Sequence, residues 1–266
     1  MKPVVLITGA SSGIGAALAK VFAAHQHEHG HELVLVARRR DRLEALADEI
    51  AATGRPRPTV FTADLERRDG ASAITAELSS RGLEPAIVVN NAGFGLRGEA
   101  AVLFRDEQLA MIDVDVRALT ELSLMFVDSL ARHRGGILNV ASVAAFLPGP
   151  GMAVYYASKA YVLSFSEALH RELAERGVRV TALCPGPVPT EFQARAGGMA
   201  SNAAVRALEL SAGRVAQIGY DAFMAGKRVV IAGIGNRLAV SLMRLAPKSL
   251  ILRLADQRPR RAGGAQ

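Results

Sequence analysis

Seven short apolar runs, most of them followed by a helical pattern, limit what this chain can fold into more than any other feature. The runs at residues 4–8, 32–37, 59–62, 86–89, 136–141, 178–183 and 228–231 are rich in valine, isoleucine and leucine and read as buried strands. Helical patterns occupy 14–24, 41–53, 68–80, 105–133 and 155–176. Strands that alternate with helices connect through right-handed crossovers. The pattern therefore predicts an α/β fold: a doubly wound, mostly parallel seven-stranded sheet with helices on both faces. The 266 residues, half of them hydrophobic, suit one such domain. Sheets of this kind bind ligands beyond the carboxyl ends of their strands, where the strand order reverses.

The first of those ends carries Thr8-Gly9-Ala10-Ser11-Ser12-Gly13-Ile14-Gly15, which follows a strand and opens a helix. Glycines there permit a tight turn and let a pyrophosphate approach the N–H groups at the helix start. The second strand ends at Ala37 and runs into Arg38, Arg39 and Arg40, with no acid before Asp41, which is expected as a helix N-cap. An acid at this strand end would hold a ribose 2′-hydroxyl, whereas arginine accommodates a 2′-phosphate. Arg38 and Arg39 thus favour NADP(H), with NAD(H) the lesser alternative.

Farther on, Tyr155 and Lys159 stand one helical turn apart, and Ser142 lies thirteen residues before the tyrosine. The i, i+4 spacing puts phenol and ammonium on one helix face. A nearby cation is expected to lower the phenol's pKa from about 10, matching it to general acid–base work. Ser142 would add a hydrogen bond to a reacting carbonyl oxygen.

In these motifs the chain resembles the short-chain dehydrogenase/reductase family over residues 4–192. The resemblance rests on the glycine turn, on Asn90-Asn91-Ala92-Gly93 after the fourth strand, on Ser142 with Tyr155 and Lys159, and on Pro185-Gly186-Pro187-Val188-Pro189-Thr190 after the sixth. It implies a Rossmann-type domain and assigns roles position by position. Gly9, Ser11, Ser12, Gly13, Ile14 and Gly15 would cradle the cofactor's phosphates, and Asp64 and Leu65 would contact its adenine. Asn91 would support the sheet while Ala92 and Gly93 let the cofactor pass. Pro185, Gly186, Val188 and Thr190 would lie beneath the nicotinamide, and Lys159 would bind its ribose. Tyr155 would exchange the proton of the substrate oxygen that Ser142 orients. A homodimer or homotetramer built on the long helices before Ser142 and after Tyr155 is also implied.

One position departs from the family pattern. Where an asparagine commonly helps hold a water in the proton relay, this chain has Asp115, so the relay is expected to titrate differently. Phe94, Leu96, Phe146, Leu147, Met152, Val188, Phe192 and Met199 flank the motifs and are expected to line an apolar substrate pocket. A lid is expected at 191–214, with the Rossmann-type domain covering 1–235. A basic amphipathic extension is expected over 236–266, packed over the cleft or a neighbouring subunit, with peripheral membrane contact as the alternative.

The remaining signals exclude more than they suggest. Net charge is +7, but the 27 arginines are spread along the chain and interleaved aromatics are few, so no nucleic-acid partner is expected. His25, His27, His29 and His31 alternate without a cysteine or carboxylate cluster to complete a metal site, so no metal is expected. Cys184, the single cysteine, reads as a buried structural thiol and suits a reducing cytoplasm. The reading is an NADP(H)-dependent oxidoreductase that interconverts a carbonyl and an alcohol. A non-catalytic NADP(H)-binding sensor and a membrane-peripheral lipid or sterol reductase are the alternatives.

Overall fold

The computed structural model describes residues 1–192 and 203–247, together with Ser249 and Leu252. β1 (Lys2–Thr8), β2 (Glu32–Ala37), β3 (Thr59–Thr62), β4 (Leu83–Asn90), β5 (Gly136–Val140), β6 (Arg179–Cys184) and β7 (Val229–Ile231) pair in the order β3-β2-β1-β4-β5-β6-β7. Every pairing is parallel, so the expectation of a mostly parallel sheet is met in full. Strand order reverses between β1 and β4, which opens a crevice at their carboxyl ends.

Alternating residues of β1 feed two separate cores. Val5 and Ile7 face α1 (Gly13–Ala24), α2 (Arg40–Ala51) and α8 (Ala212–Met224), packing with Leu18, Phe22, Leu43, Val215 and Phe223. Val4 and Leu6 face the other side, with Phe61, Ile74, Met111 and Phe126. That second face is covered by α3 (Gly70–Ser80), α4 (Arg105–Ile112), α5 (Leu119–Met125), α6 (Val127–Arg132) and α7 (Ala153–Glu172). Each of these large side chains, moved fully out of water, contributes roughly 1.5–3 kcal/mol.

Two local features differ from the sequence expectations. The helix expected over 105–133 is interrupted: Asp113–Ala118 forms a π-helical turn between α4 and α5, and Phe126 separates α5 from α6. Asp115 sits inside that turn, where the extra residue per turn swings it toward the sheet's carboxyl edge. The second difference is the start of α2, whose N-cap is Arg39, so Asp41 lies in the first turn rather than at the cap. Two residues' difference in register thus hands the cap position to a residue that also faces the cleft.

α9 (Ile234–Leu245) closes the described chain against β7 and the single turn Val143–Phe146. It buries Asn236 and Val240 and leaves Ile234, Leu238, Leu242 and Leu245 exposed on its outer face. The expected pocket residue Met199, residues 193–202 of the expected lid and most of the expected tail lie outside the described residues.

Candidate active site

The crevice between β1 and β4 is a cleft of ≈ 640 Å³ that gathers most of the sequence-predicted site. Its lining includes Gly9, Ser11, Ser12, Gly13 and Ile14 from the turn after β1, and Arg38 and Arg39 after β2. Asp64 and Leu65 come from the end of β3, and Asn91, Ala92 and Gly93 from the end of β4. Ser142, Tyr155 and Lys159 lie at the other end with Pro185, Gly186, Val188 and Thr190. Gly15 and Asp115 stand behind this lining.

Polar bonds lock the two central strand ends together. The Thr8 hydroxyl accepts from the N–H groups of Asn91 and Ala92, each at 3.1 Å. The Asn91 amide donates back to the Thr8 and Gly9 carbonyls at 3.1 and 3.2 Å. Gly13 adopts φ +58°, a left-handed conformation that glycine takes without steric cost, and a methyl there would meet Thr190 Cγ2 at 3.2 Å. The glycine turn and the loop after β6 therefore close on one another from opposite sides of the crevice.

At the opposite end of the cleft, α7 is oriented so that Tyr155 and Lys159 both enter it from one helix face. Ser142, extended at the end of β5, accepts the Ala144 N–H at 3.1 Å and so caps the turn that follows. Its side chain lines the cleft beside Tyr155 and works to lower that phenol's pKa. Lys159 Nζ lies 5.9 Å from the centre of the Tyr155 ring and donates to the Val140 carbonyl at 3.3 Å.

Asp115 is the pivot beneath them. Its Oδ2 is 3.4 Å from Lys159 Nζ and 3.1 Å from the Ser158 hydroxyl, and its Oδ1 accepts the Phe94 N–H at 3.1 Å. Every one of these neighbours offers a proton, so the pocket suits a carboxylate. An asparagine would turn an NH2 group toward a donor. Gly93 makes the approach possible, because a methyl there would stand 2.7 Å from Asp115 Oδ1.

The electrostatics correct one expectation. Burial raises the Tyr155 phenol above its ordinary range, Ser142 opposes this, and the Asp115 charge adds to the rise. The phenol is raised rather than lowered as the Lys159 spacing suggested, because burial outweighs what opposes it and Asp115, which lies against the ammonium, adds to the rise. Burial also raises the Asp115 carboxyl, with Lys159, the Phe94 N–H and Ser158 opposing it. Cys184 is wholly buried and pushed up to about 12 by desolvation, in keeping with a structural thiol.

The apolar residues divide. Phe94, Met152, Val188 and Phe192 line the cleft, joined by Tyr156 and Val205. Leu96, Phe146 and Leu147 do not: Leu96 packs against the core, and Phe146 lies under the Arg244 guanidinium at 5.9 Å. The histidines also separate, with His25 bonded to Glu28 at 2.7 Å and stacked on Tyr220, while His31 meets His133. Among the described residues no group of three or more metal-ligating side chains forms.

Three supports escaped the sequence reading. Asn236 donates to the Leu208 and Ala232 carbonyls at 3.1 and 2.8 Å and fills the space beneath Gly186. Ser158 braces Asp115. Arg42 and Glu191 meet beside Arg39. A lone asparagine in an apolar stretch, directly after Gly235, was a readable signal for the first; the others depend on contacts across the fold.

The residues present fit a dinucleotide. A turn with a left-handed glycine leaves backbone N–H groups facing an open cleft, and guanidinium groups stand at one end with paired hydroxyls at the other. Sheet order and cleft together define a Rossmann-type nucleotide-binding protein with its ligand site at the switch point.

The comparisons narrow the class to a family. The model described as short chain dehydrogenase matches residues 3–200, and the chain belongs to that family. A sulfoacetaldehyde reductase from Chromohalobacter salexigens is 39% identical over 207 residues, covering 74% of this chain and 78% of that protein. A short-chain dehydrogenase from Sphingobium yanoikuyae, solved in complex with NADPH, is 32% identical. It has a TM-score of 0.79 and covers 99% of this chain and 98% of its own. A family member from Burkholderia phymatum, solved with NAD, is 27% identical with a TM-score of 0.77 over 91% of this chain and 92% of its own. The protein is therefore an oxidoreductase that works with a nicotinamide cofactor.

Proposed function

We propose that this protein interconverts a carbonyl and an alcohol, prefers NADP(H), and uses Tyr155 as its general acid and base. The observation that carries the reading is that Ser142, Tyr155 and Lys159 line one end of the cleft together, with Asp115 buried against Lys159. When bound, the nicotinamide cofactor supplies or accepts the hydride. The phosphates would be held by Gly9, Ser11, Ser12, Gly13, Ile14 and Gly15, the adenosine by Arg38, Arg39, Asp64 and Leu65. The nicotinamide end would be held by Asn91, Ala92, Gly93, Lys159, Pro185, Gly186, Val188 and Thr190.

Burial keeps the Tyr155 phenol protonated at neutral pH, so it is ready to give its proton to an oxygen that gains negative charge. Ser142 donates a second hydrogen bond to the same oxygen. Lys159 then faces the phenolate left behind and stabilises it, while Asp115 and the Val140 carbonyl hold the ammonium in place. In the alcohol-to-carbonyl direction the same groups run in reverse.

Preference for NADP(H) is supported by Arg39, whose guanidinium lies on the glycine turn and bonds the hydroxyls of Ser11 and Ser12 at 3.0 Å. An apolar substrate is supported by Phe94, Met152, Val188 and Phe192 at the other end. A homodimer or homotetramer is supported by Leu109, Ile112, Leu124, Met125 and Tyr161, exposed along α4, α5 and α7. The test is NADPH oxidation against a panel of alkyl and aryl ketones and a short anionic aldehyde, repeated with NADH. Turnover of the apolar ketones with NADPH supports the proposal. Absence of turnover on every carbonyl would favour a cofactor-binding sensor, and preference for the anionic aldehyde would refute the apolar pocket.

A further inference from the structure

Glu191 reaches across the fold and occupies the guanidinium groups that stand at the ribose end of the cleft. Arg39 Nη1 donates to its Oε2 at 2.8 Å, and Arg42 donates to its Oε1. The other nitrogens of Arg39, Nε and Nη2, bond Ser11 and Ser12, so Glu191 holds the one guanidinium nitrogen of that residue turned away from the glycine turn. The adjacent Phe192 carries the contact to the opposite end of the cleft. Its ring lies 5.4 Å from the Tyr155 ring, tilted by 48°, and its tip crowds Gly95. One dipeptide thus touches both the arginines and the phenol.

We propose that Glu191 is the residue that reads the cofactor's ribose and couples it to the substrate end of the cleft. Its carboxylate holds Arg39 and Arg42 until a 2′-phosphate displaces it, and the displacement draws Phe192 off Tyr155. The inference rests on the NADP(H) reading above. Its chemistry is ion exchange at a pair of arginines. Glu191, Arg39 and Arg42 are all close to half exposed, so their ion pairs are screened and exchangeable. A phosphate monoester brings a charge near −2 and three acceptor oxygens, more than a single carboxylate can match. The 2′-hydroxyl of NAD(H) is neutral and leaves the carboxylate where it is. Discrimination between the two cofactors then appears at the mouth of the substrate cleft as well as at the ribose. The two arginines hold the Glu191 carboxyl down to about 2, so acid within the working range of the protein does not open the contact.

Calorimetric titration of full-length wild type and Glu191→Gln with 2′,5′-ADP and with 5′-AMP tests this, because neither probe carries a nicotinamide. Glu191→Gln should bind 2′,5′-ADP about three-fold tighter, the scale of an exposed ion pair, and 5′-AMP unchanged. A second reading uses Phe192→Trp, since the chain has no tryptophan of its own. Its emission should move to longer wavelength with 2′,5′-ADP and not with 5′-AMP, and should start there when Glu191→Gln is also present. A wild-type preference for 2′,5′-ADP that Glu191→Gln leaves unchanged or weakens, or an emission blind to 2′,5′-ADP, overturns the proposal alone. Equal affinity of wild type for the two probes overturns the cofactor preference and this proposal with it.

Discussion

Asp115 and Lys159 form an ion pair sealed from solvent, with Nζ 3.4 Å from Oδ2 and side-chain exposures of 0% and 6%. It joins a π-helical turn to the helix that carries Tyr155, so the one departure from the family pattern sits directly under the proposed proton donor. Asp115→Asn should shift the pH–rate profile. The carboxylate raises the phenol's pKa, so its removal lowers it, and the midpoint assigned to Tyr155 moves to lower pH in either reaction direction. A profile identical to wild type would remove Asp115 from the account.

Asp115→Ala should cost far more than activity. The substitution strands the Lys159 ammonium in the interior and leaves the Phe94 N–H without its carboxylate. A loss of about 3–5 kcal/mol is expected, since breaking a buried pair leaves one charge uncompensated. Chemical denaturation measures it, and a loss below about 1 kcal/mol would mean that water reaches the pair.

Arg39→Ala should separate the two cofactors. Loss of a charge-assisted hydrogen bond to phosphate raises the KM for NADPH roughly ten-fold or more and leaves the KM for NADH nearly unchanged. Equal effects on both would place Arg39 in the phosphate turn rather than at the ribose.

Asn236→Ala tests a support that lies far from the motifs in sequence. Its removal leaves the Leu208 and Ala232 carbonyls without this donor and a space beneath Gly186, at a cost of about 1–3 kcal/mol. Thermal unfolding should register the loss, and the KM for cofactor should rise as the Gly186 loop loosens. Unchanged cofactor binding in a destabilised protein would assign Asn236 to packing alone.

Much of the architecture was legible because it rests on local patterns. The β-branched runs and their spacing gave the strands and the sheet, and the glycine turn, Asn91, Ser142, Tyr155 and Lys159 fell together at one cleft. The π-turn at Asp115 was not legible, since one inserted residue barely alters hydrophobic periodicity over so long a helical stretch. The rise in the Tyr155 pKa was hidden for a related reason. Spacing shows that Lys159 is near the phenol, but not that the fold buries the phenol or that Asp115 reaches Lys159 from another helix. Glu191 stands 149 residues from Arg42, and no short-range pattern connects them.

The most direct test of the central claim is turnover by Tyr155→Phe on whichever carbonyl the wild type reduces with NADPH. The substitution keeps the ring against Phe192 and removes only the proton-bearing oxygen. The kcat should fall roughly 10²–10⁴-fold, the usual worth of a positioned acid, with NADPH affinity and Tm unchanged. A variant that keeps its kcat within a few-fold of wild type would contradict that claim and move the proton transfer to another group.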